Sequence, residues 1–110
     1  MSKKFWPNTK DNGNQYTAEE ILDNAAPFLH KSGDYPGIYF LICDEEIVYV
    51  GKSVNVKTRL DQHSINPDKN FNRYFAILCD KEELNSLEAH YILRFRPKYN
   101  IAIPKEAENE

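Results

Sequence analysis

The stretch GIYFLICDEEIVYVG, residues 37–51, constrains the fold more than any other part of the chain. Two runs of branched and aromatic residues flank a short acidic segment, the composition of paired strands, so the stretch predicts an antiparallel hairpin. Side-chain parity then depends on the loop. A three-residue loop, Asp44 to Glu46, pairs Cys43 with Ile47 and puts Tyr39 and Tyr49 on one side of the sheet. A two-residue loop puts them on opposite sides, and the sequence allows both.

The remaining chain supplies helices and a third strand. Thr17 and Glu20 form a capping box, and Ile21, Leu22, Ala25, Ala26 and Leu29 share a helical face, which predicts a helix from Thr17 to His30 that Pro27 kinks or shortens. Ser53 is a candidate N-cap for VNVKTRLDQHS, and RYFAILC reads as a strand. Asp80 and Glu83 make a second capping box before a helix whose stripe of Leu84, Leu87, Tyr91, Ile92 and Phe95 runs until Pro97. The expected fold class is α+β: a small three-stranded antiparallel sheet flanked by helices, with an extra N-terminal helix. The first 16 residues, polar and turn-forming, read as a loosely docked lead-in.

At 110 residues, 41% of them hydrophobic and 28% charged, the chain suits one globular domain with a single core. Its apolar runs are far shorter than the roughly 20 residues of a spanning helix, and MSKKFWPNTK has no apolar signal core, so no membrane association and a cytoplasmic location are expected. Cys43 and Cys79, with no CxxC spacing, read as packed free thiols. The net charge of −3 argues against a broad nucleic-acid footprint, yet residues 47–100 sum to +3 while residues 1–46 sum to −4. The middle of the chain is locally cationic.

Three polar residues stand where stability alone does not want them. Glu88 lies between Leu84 and Ile92 in the apolar stripe, and a carboxylate there calls for a cation, either Lys52 or Arg59 in a salt bridge or a metal ion. Arg59 and His63, four residues apart, share one edge of the face that carries Val56 and Leu60. An arginine fork suits a phosphate, and a lone carboxylate suits a hard cation that keeps most of its waters while a phosphate completes its shell.

These residues fall into a pattern. Gly37-Ile38-Tyr39 and Tyr49-Val50-Gly51, then Lys52, Arg59, His63, Glu88 and Asn100 in that order, resemble the motifs of the GIY-YIG nuclease superfamily over residues 36–101. Val50 in place of the commoner isoleucine is the only motif departure. The resemblance implies metal-dependent hydrolysis of a nucleic-acid phosphodiester. It implies that Glu88 holds one Mg²⁺ or Mn²⁺ ion, that Arg59 stabilises charge on the phosphate, and that Tyr39 and Tyr49 line the site, one of them helping to deprotonate the attacking water. Tyr49 is favoured for that role because Lys52 and the glycine turn bring cations near it. His63 would orient the water or bond a phosphate oxygen, and Asn100 would act in catalysis or fix the C-terminal segment.

The expected organisation is an N-terminal extension (1–35), a nuclease domain (36–101) and an acidic tail (102–110). The expected function is a small stand-alone DNA endonuclease. The alternatives are a nucleic-acid-binding or partner-recruited module that needs another subunit or a homodimer, and a nuclease acting on RNA. Gly51, Lys52, Lys57, Arg59 and Arg73 are the expected substrate contacts. The basic groups Lys52, Lys57, Arg59, Arg73, Arg94, Arg96 and Lys98 are expected around one cleft that Tyr39, Tyr49, Arg59, His63 and Glu88 share.

Overall fold

The hairpin closes through a two-residue turn: Cys43 pairs with Glu46, and Asp44 adopts φ 58°, a left-handed conformation that Asp tolerates better than most residues. Taken alone, that turn would put the two tyrosines on opposite faces. A β-bulge reverses the parity. Ile42 faces Ile47 while Leu41 faces Tyr49, leaving Val48 as the extra residue, and one inserted residue flips every later side chain to the other face. Tyr39 and Tyr49 therefore share a face.

The computed structural model describes Pro7 and residues 16–26, 35–65 and 69–101. Its elements are α1 (Ala18–Asn24), β1 (Gly37–Cys43), β2 (Glu46–Ser53), α2 (Val56–Ile65), β3 (Arg73–Leu78), a 3₁₀ turn (Lys81–Glu83), α3 (Leu84–Phe95) and α4 (Lys98–Ile101). The sheet order is β2-β1-β3, antiparallel throughout, so β1 is the central strand. This is the three-stranded sheet with flanking helices expected from the sequence.

Both faces of β1 are buried. Phe40 meets the edge of Tyr91 at 5.1 Å and lies 6.3 Å from Phe95, so α3 covers one face. Val56 and Leu60 are buried and the His63 ring sits 5.5 Å from Tyr39, so α2 covers the other. Leu84, Leu87 and Tyr91 are the buried members of the α3 stripe.

Three boundaries differ from the sequence reading. The helix begun by the Thr17–Glu20 capping box ends at Asn24 rather than His30; Ala25 is extended and Ala26 bridges to Tyr74, with both N···O distances 2.9 Å. Pro27 disfavours helical backbone in the residue before it, and Ala26 takes the extended form instead. Ser53 closes β2 and accepts the Asn55 N–H at 2.9 Å, so α2 starts at Val56. The Asp80–Glu83 box opens the 3₁₀ turn, where Glu83 Oε1 accepts the Asp80 N–H at 3.1 Å.

The described part of the N-terminal extension belongs to the same core. Ile21 is fully buried, the Tyr16 N–H donates to Tyr91 Oη at 3.1 Å, and the Leu78 N–H donates to the Pro7 carbonyl at 2.7 Å. Pro7 and Tyr16 are thus anchored rather than loosely docked. The rest of residues 1–15 and the acidic tail 102–110 lie outside the described residues. Cys43 and Cys79 are free thiols, and among the described residues no helix is long and apolar enough to cross a membrane.

Candidate active site

Three side chains converge on the hydroxyl of Tyr39. The residue is 1% exposed on the central strand, and its phenol shares a 3.1 Å hydrogen bond with His63 Nε2. Tyr49 lies 6.1 Å from Tyr39 and 5.9 Å from His63, ring centre to ring centre, and the exposed Arg59 reaches the Tyr39 hydroxyl from α2. The arrangement depends on Gly51, the cross-strand partner of Tyr39. A β-carbon at Gly51 would overlap Cζ and Oη of the phenol and approach Cε1 to 2.9 Å.

Burial pushes the Tyr39 phenol far above its ordinary range and Tyr49 adds to the shift, while the Arg59 guanidinium pulls the other way without offsetting it. Tyr39 thus remains a protonated hydrogen-bond donor at neutral pH. Tyr49 is half-buried, the more exposed of the two tyrosines.

Glu88 and Lys52 form a second group. Lys52 pairs in register with Ile38, which turns its side chain to the α3 face of the sheet, opposite the tyrosines. There its Nζ donates to Asn85 Oδ1 at 2.7 Å and lies 3.5 Å from Glu88 Oε1. The salt bridge drawn from the sequence is therefore made by Lys52, and Glu88 sits at the edge of the stripe, 24% exposed. Tyr39, Tyr49, Arg59 and His63 come together, and Glu88 meets Lys52, which leaves β2 toward α3.

Asn100 is engaged by the backbone of β2. Its carboxamide accepts the Val50 N–H at 2.8 Å and donates to the Val50 carbonyl at 2.9 Å, pairing with the outer edge of the sheet as a neighbouring strand would. Its neighbour Tyr99 accepts the Asn70 N–H at 3.1 Å. α4 therefore fixes β2 between Tyr49 and Gly51.

The cations expected around one cleft are divided between the two ends of the sheet. Lys57 is exposed on α2, paired with Asp61 at 3.4 Å. Arg73 lies at the hairpin turn on the face opposite Tyr39, with its guanidinium on the Asp44 carbonyl at 2.6 Å, the Leu22 carbonyl at 3.3 Å and Glu45 at 3.7 Å. Arg94 and Arg96 line a cleft of about 330 Å³ with Leu22, Glu45 and Ile47 at that same end. Lys98 sits over the Tyr99 ring at 5.5 Å. Arg73, Arg94 and Arg96 thus lie toward the hairpin turn, where Arg73 finds its acceptors on Asp44, Leu22 and Glu45.

Two contributors went unnoticed in the sequence. Asn85 precedes Glu88 by three residues, a helical neighbour that the spacing could have flagged. Lys69 places its Nζ over the Tyr49 ring, 4.7 Å from the centroid, and comes from a loop whose sequence carries no signal for it.

Comparison with known proteins agrees with this geometry. The sequence profile of the GIY-YIG catalytic domain matches residues 35–100. UvrABC system protein C of Thermosipho africanus is 35% identical over 97 residues, covering 80% of this chain but 17% of that protein. Excinuclease cho of Salmonella typhi is 29% identical over 89 residues, 74% of this chain and 30% of the relative. The chain therefore spans less than a third of the length of these relatives. Among solved structures, the magnesium-bound GIY-YIG N-terminal endonuclease domain of Thermotoga maritima UvrC superimposes with a TM-score of 0.54 at 26% identity, covering 63% of this chain and 86% of that domain. With its two motif tyrosines on one face of a three-stranded sheet, the chain belongs to the GIY-YIG catalytic domain family.

Proposed function

We propose that this chain is a divalent-metal-dependent endonuclease that hydrolyses DNA phosphodiester bonds. The observation that carries the reading is the convergence of Tyr49, His63 and Arg59 on the buried Tyr39 hydroxyl, beside a strand whose next residues lead to the Lys52–Glu88 pair. The UvrC domain of Thermotoga maritima, which is an endonuclease domain with a bound magnesium, supports it.

Glu88 fits a hard cation. It is a half-buried carboxylate that Lys52 approaches at 3.5 Å through Oε1, and among the described residues no group of three or more His, Cys, Asp or Glu competes as a closed metal cage. One carboxylate plus waters and substrate phosphate is a common Mg²⁺ environment. Such an ion supplies Lewis acidity and a more acidic bound water.

The remaining roles belong to the chain's own side chains. Arg59, exposed, offers its guanidinium to a phosphate and stabilises charge that develops there. Tyr39, held protonated, orients His63. Tyr49 takes the proton of the attacking water, and Lys52 holds a positive charge beside Glu88.

Incubating the purified chain with Mg²⁺ or Mn²⁺ on plasmid, single-stranded DNA, branched DNA and RNA tests the reading. DNA cleavage that chelation stops is the expected result. Cleavage of RNA alone would change the substrate to RNA, and a folded chain that cuts none of these substrates would overturn the proposal for the isolated protein.

One observation favours a second reading, a module delivered to DNA by a partner. Its net charge is −3, and Arg73, Arg94 and Arg96 sit away from the Tyr39 group. Weak duplex binding that falls shallowly with salt, by about 0.9 log units per log unit of salt for each phosphate contacted, supports this reading. Tight, sequence-specific binding with a steep slope rejects it.

A further inference from the structure

We infer that Lys69 is a positioning residue for Tyr49: its ammonium, 4.7 Å from the ring centroid, is held over the phenol so as to favour the phenolate. The inference deepens the nuclease reading above and rests on it for its consequence, though not for its test.

The pair is built from both sides. Asn70, next to Lys69, donates its N–H to Tyr99 Oη at 3.1 Å, and Phe71 sets its ring against His63 with centroids 6.5 Å apart. On the other side, Val50, next to Tyr49, is gripped by the Asn100 carboxamide through both its N–H and its carbonyl. Consecutive residues of α4, Tyr99 and Asn100, therefore fix the backbones beside Lys69 and beside Tyr49. An ammonium on a freely moving loop would spread its charge over many positions, whereas a clamped loop keeps it at one ring.

Among the described residues, the other ionisable groups that face this part of the sheet have further contacts of their own. From β1 comes the neutral phenol of Tyr39, and from α2 come His63, bonded to Tyr39, and Arg59, directed at the Tyr39 hydroxyl. Glu88 of α3 is engaged with Lys52, and Lys98 of α4 lies over Tyr99. Lys69 is the cation placed over the Tyr49 ring itself. A cation at this range stabilises an anionic ring more than a neutral one, so it lowers the pH at which the phenol loses its proton. That is what a tyrosine, ordinarily titrating near pH 10, needs in order to accept a proton from water at neutral pH and pass it on.

The test is titration of the Tyr49 ring by ¹³C NMR on full-length chain labelled at tyrosine Cζ, without substrate, with the resonance assigned by its loss in Tyr49→Phe. In Lys69→Met the titration midpoint should rise by about one pH unit, as expected for losing a unit charge several ångströms away in a partly solvated site. Lys69→Arg should keep the midpoint within about 0.3 unit of wild type. The alkaline shift should reappear as an equal displacement of the lower limb of the pH–rate profile. An unchanged midpoint in both Lys69→Met and Lys69→Gln, with the NMR spectrum otherwise native, overturns the inference even if DNA is cleaved. A shifted midpoint in a chain that cleaves nothing upholds the electrostatic pair and removes the nuclease reading instead.

Discussion

The phenol of Tyr39 lies across the backbone of Gly51, its cross-strand partner, in the space that a β-carbon would fill. The glycine of the second motif is therefore a steric requirement of the tyrosine of the first. Gly51→Ala should force the phenol off His63 and cost about 1–3 kcal/mol of stability, as overpacking of a filled site commonly does. Urea unfolding and a cleavage assay on the same preparation check it, and a variant with wild-type stability and rate would show that the ring has room to move.

Glu88→Gln should abolish cleavage while leaving the melting temperature unchanged or higher. The ion pair it removes is between side chains 24% and 42% exposed, and pairs of that kind contribute about 0–1 kcal/mol. Retained cleavage would take Glu88 out of the site, and a large loss of stability would make it structural.

Arg59→Ala should slow turnover by about 100-fold or more, the usual consequence of deleting one preorganised transition-state donor. Because Arg59 is exposed, its stability should move by no more than about 0.5 kcal/mol. A stability loss without a rate loss would reassign the guanidinium to holding Tyr39.

Alkaline pH should unfold the chain more readily than its composition suggests. Burial raises the phenols of Tyr39 and Tyr91, the latter to about 12, whereas the unfolded chain titrates both near 10. Above pH 10 the unfolded state releases protons that the folded state retains, so stability is intact below that pH and declines as pH rises toward the folded values. Denaturant midpoints measured from pH 8 to 11 should fall with a slope that Tyr39→Phe reduces; an unchanged slope in that variant would show that the Tyr39 phenol ionises within the fold.

Much of this was legible in the order of residues. The hairpin, the α3 stripe and the misplaced carboxylate at Glu88 all follow from local patterns of burial and period, which act over a few residues. Strand parity puts Lys52, three residues from Tyr49, on the opposite face, whereas the sequence reading takes it as a cation near Tyr49. The bulge at Val48 was not legible. It is visible only in the register of β1 against β2, where it reverses the parity that the turn alone would give. Lys69 and the remote position of Arg73 depend on contacts between distant segments, through Tyr99 in one case and Asp44 in the other. A count of charges along the chain carries no information about which end of the sheet they reach.

The Asn100 carboxamide has a consequence for assembly. An edge strand with unpaired N–H and carbonyl groups is a template on which another chain can add a strand. At β2 the outward pair of Val50 is occupied by Asn100, and along β3 the Ala26 backbone pairs with Tyr74 while the Pro7 carbonyl takes the Leu78 N–H. The sheet is plugged at both margins by short pieces of its own chain. A partner that tried to add a strand at Val50, Tyr74 or Leu78 would find those backbone groups already paired.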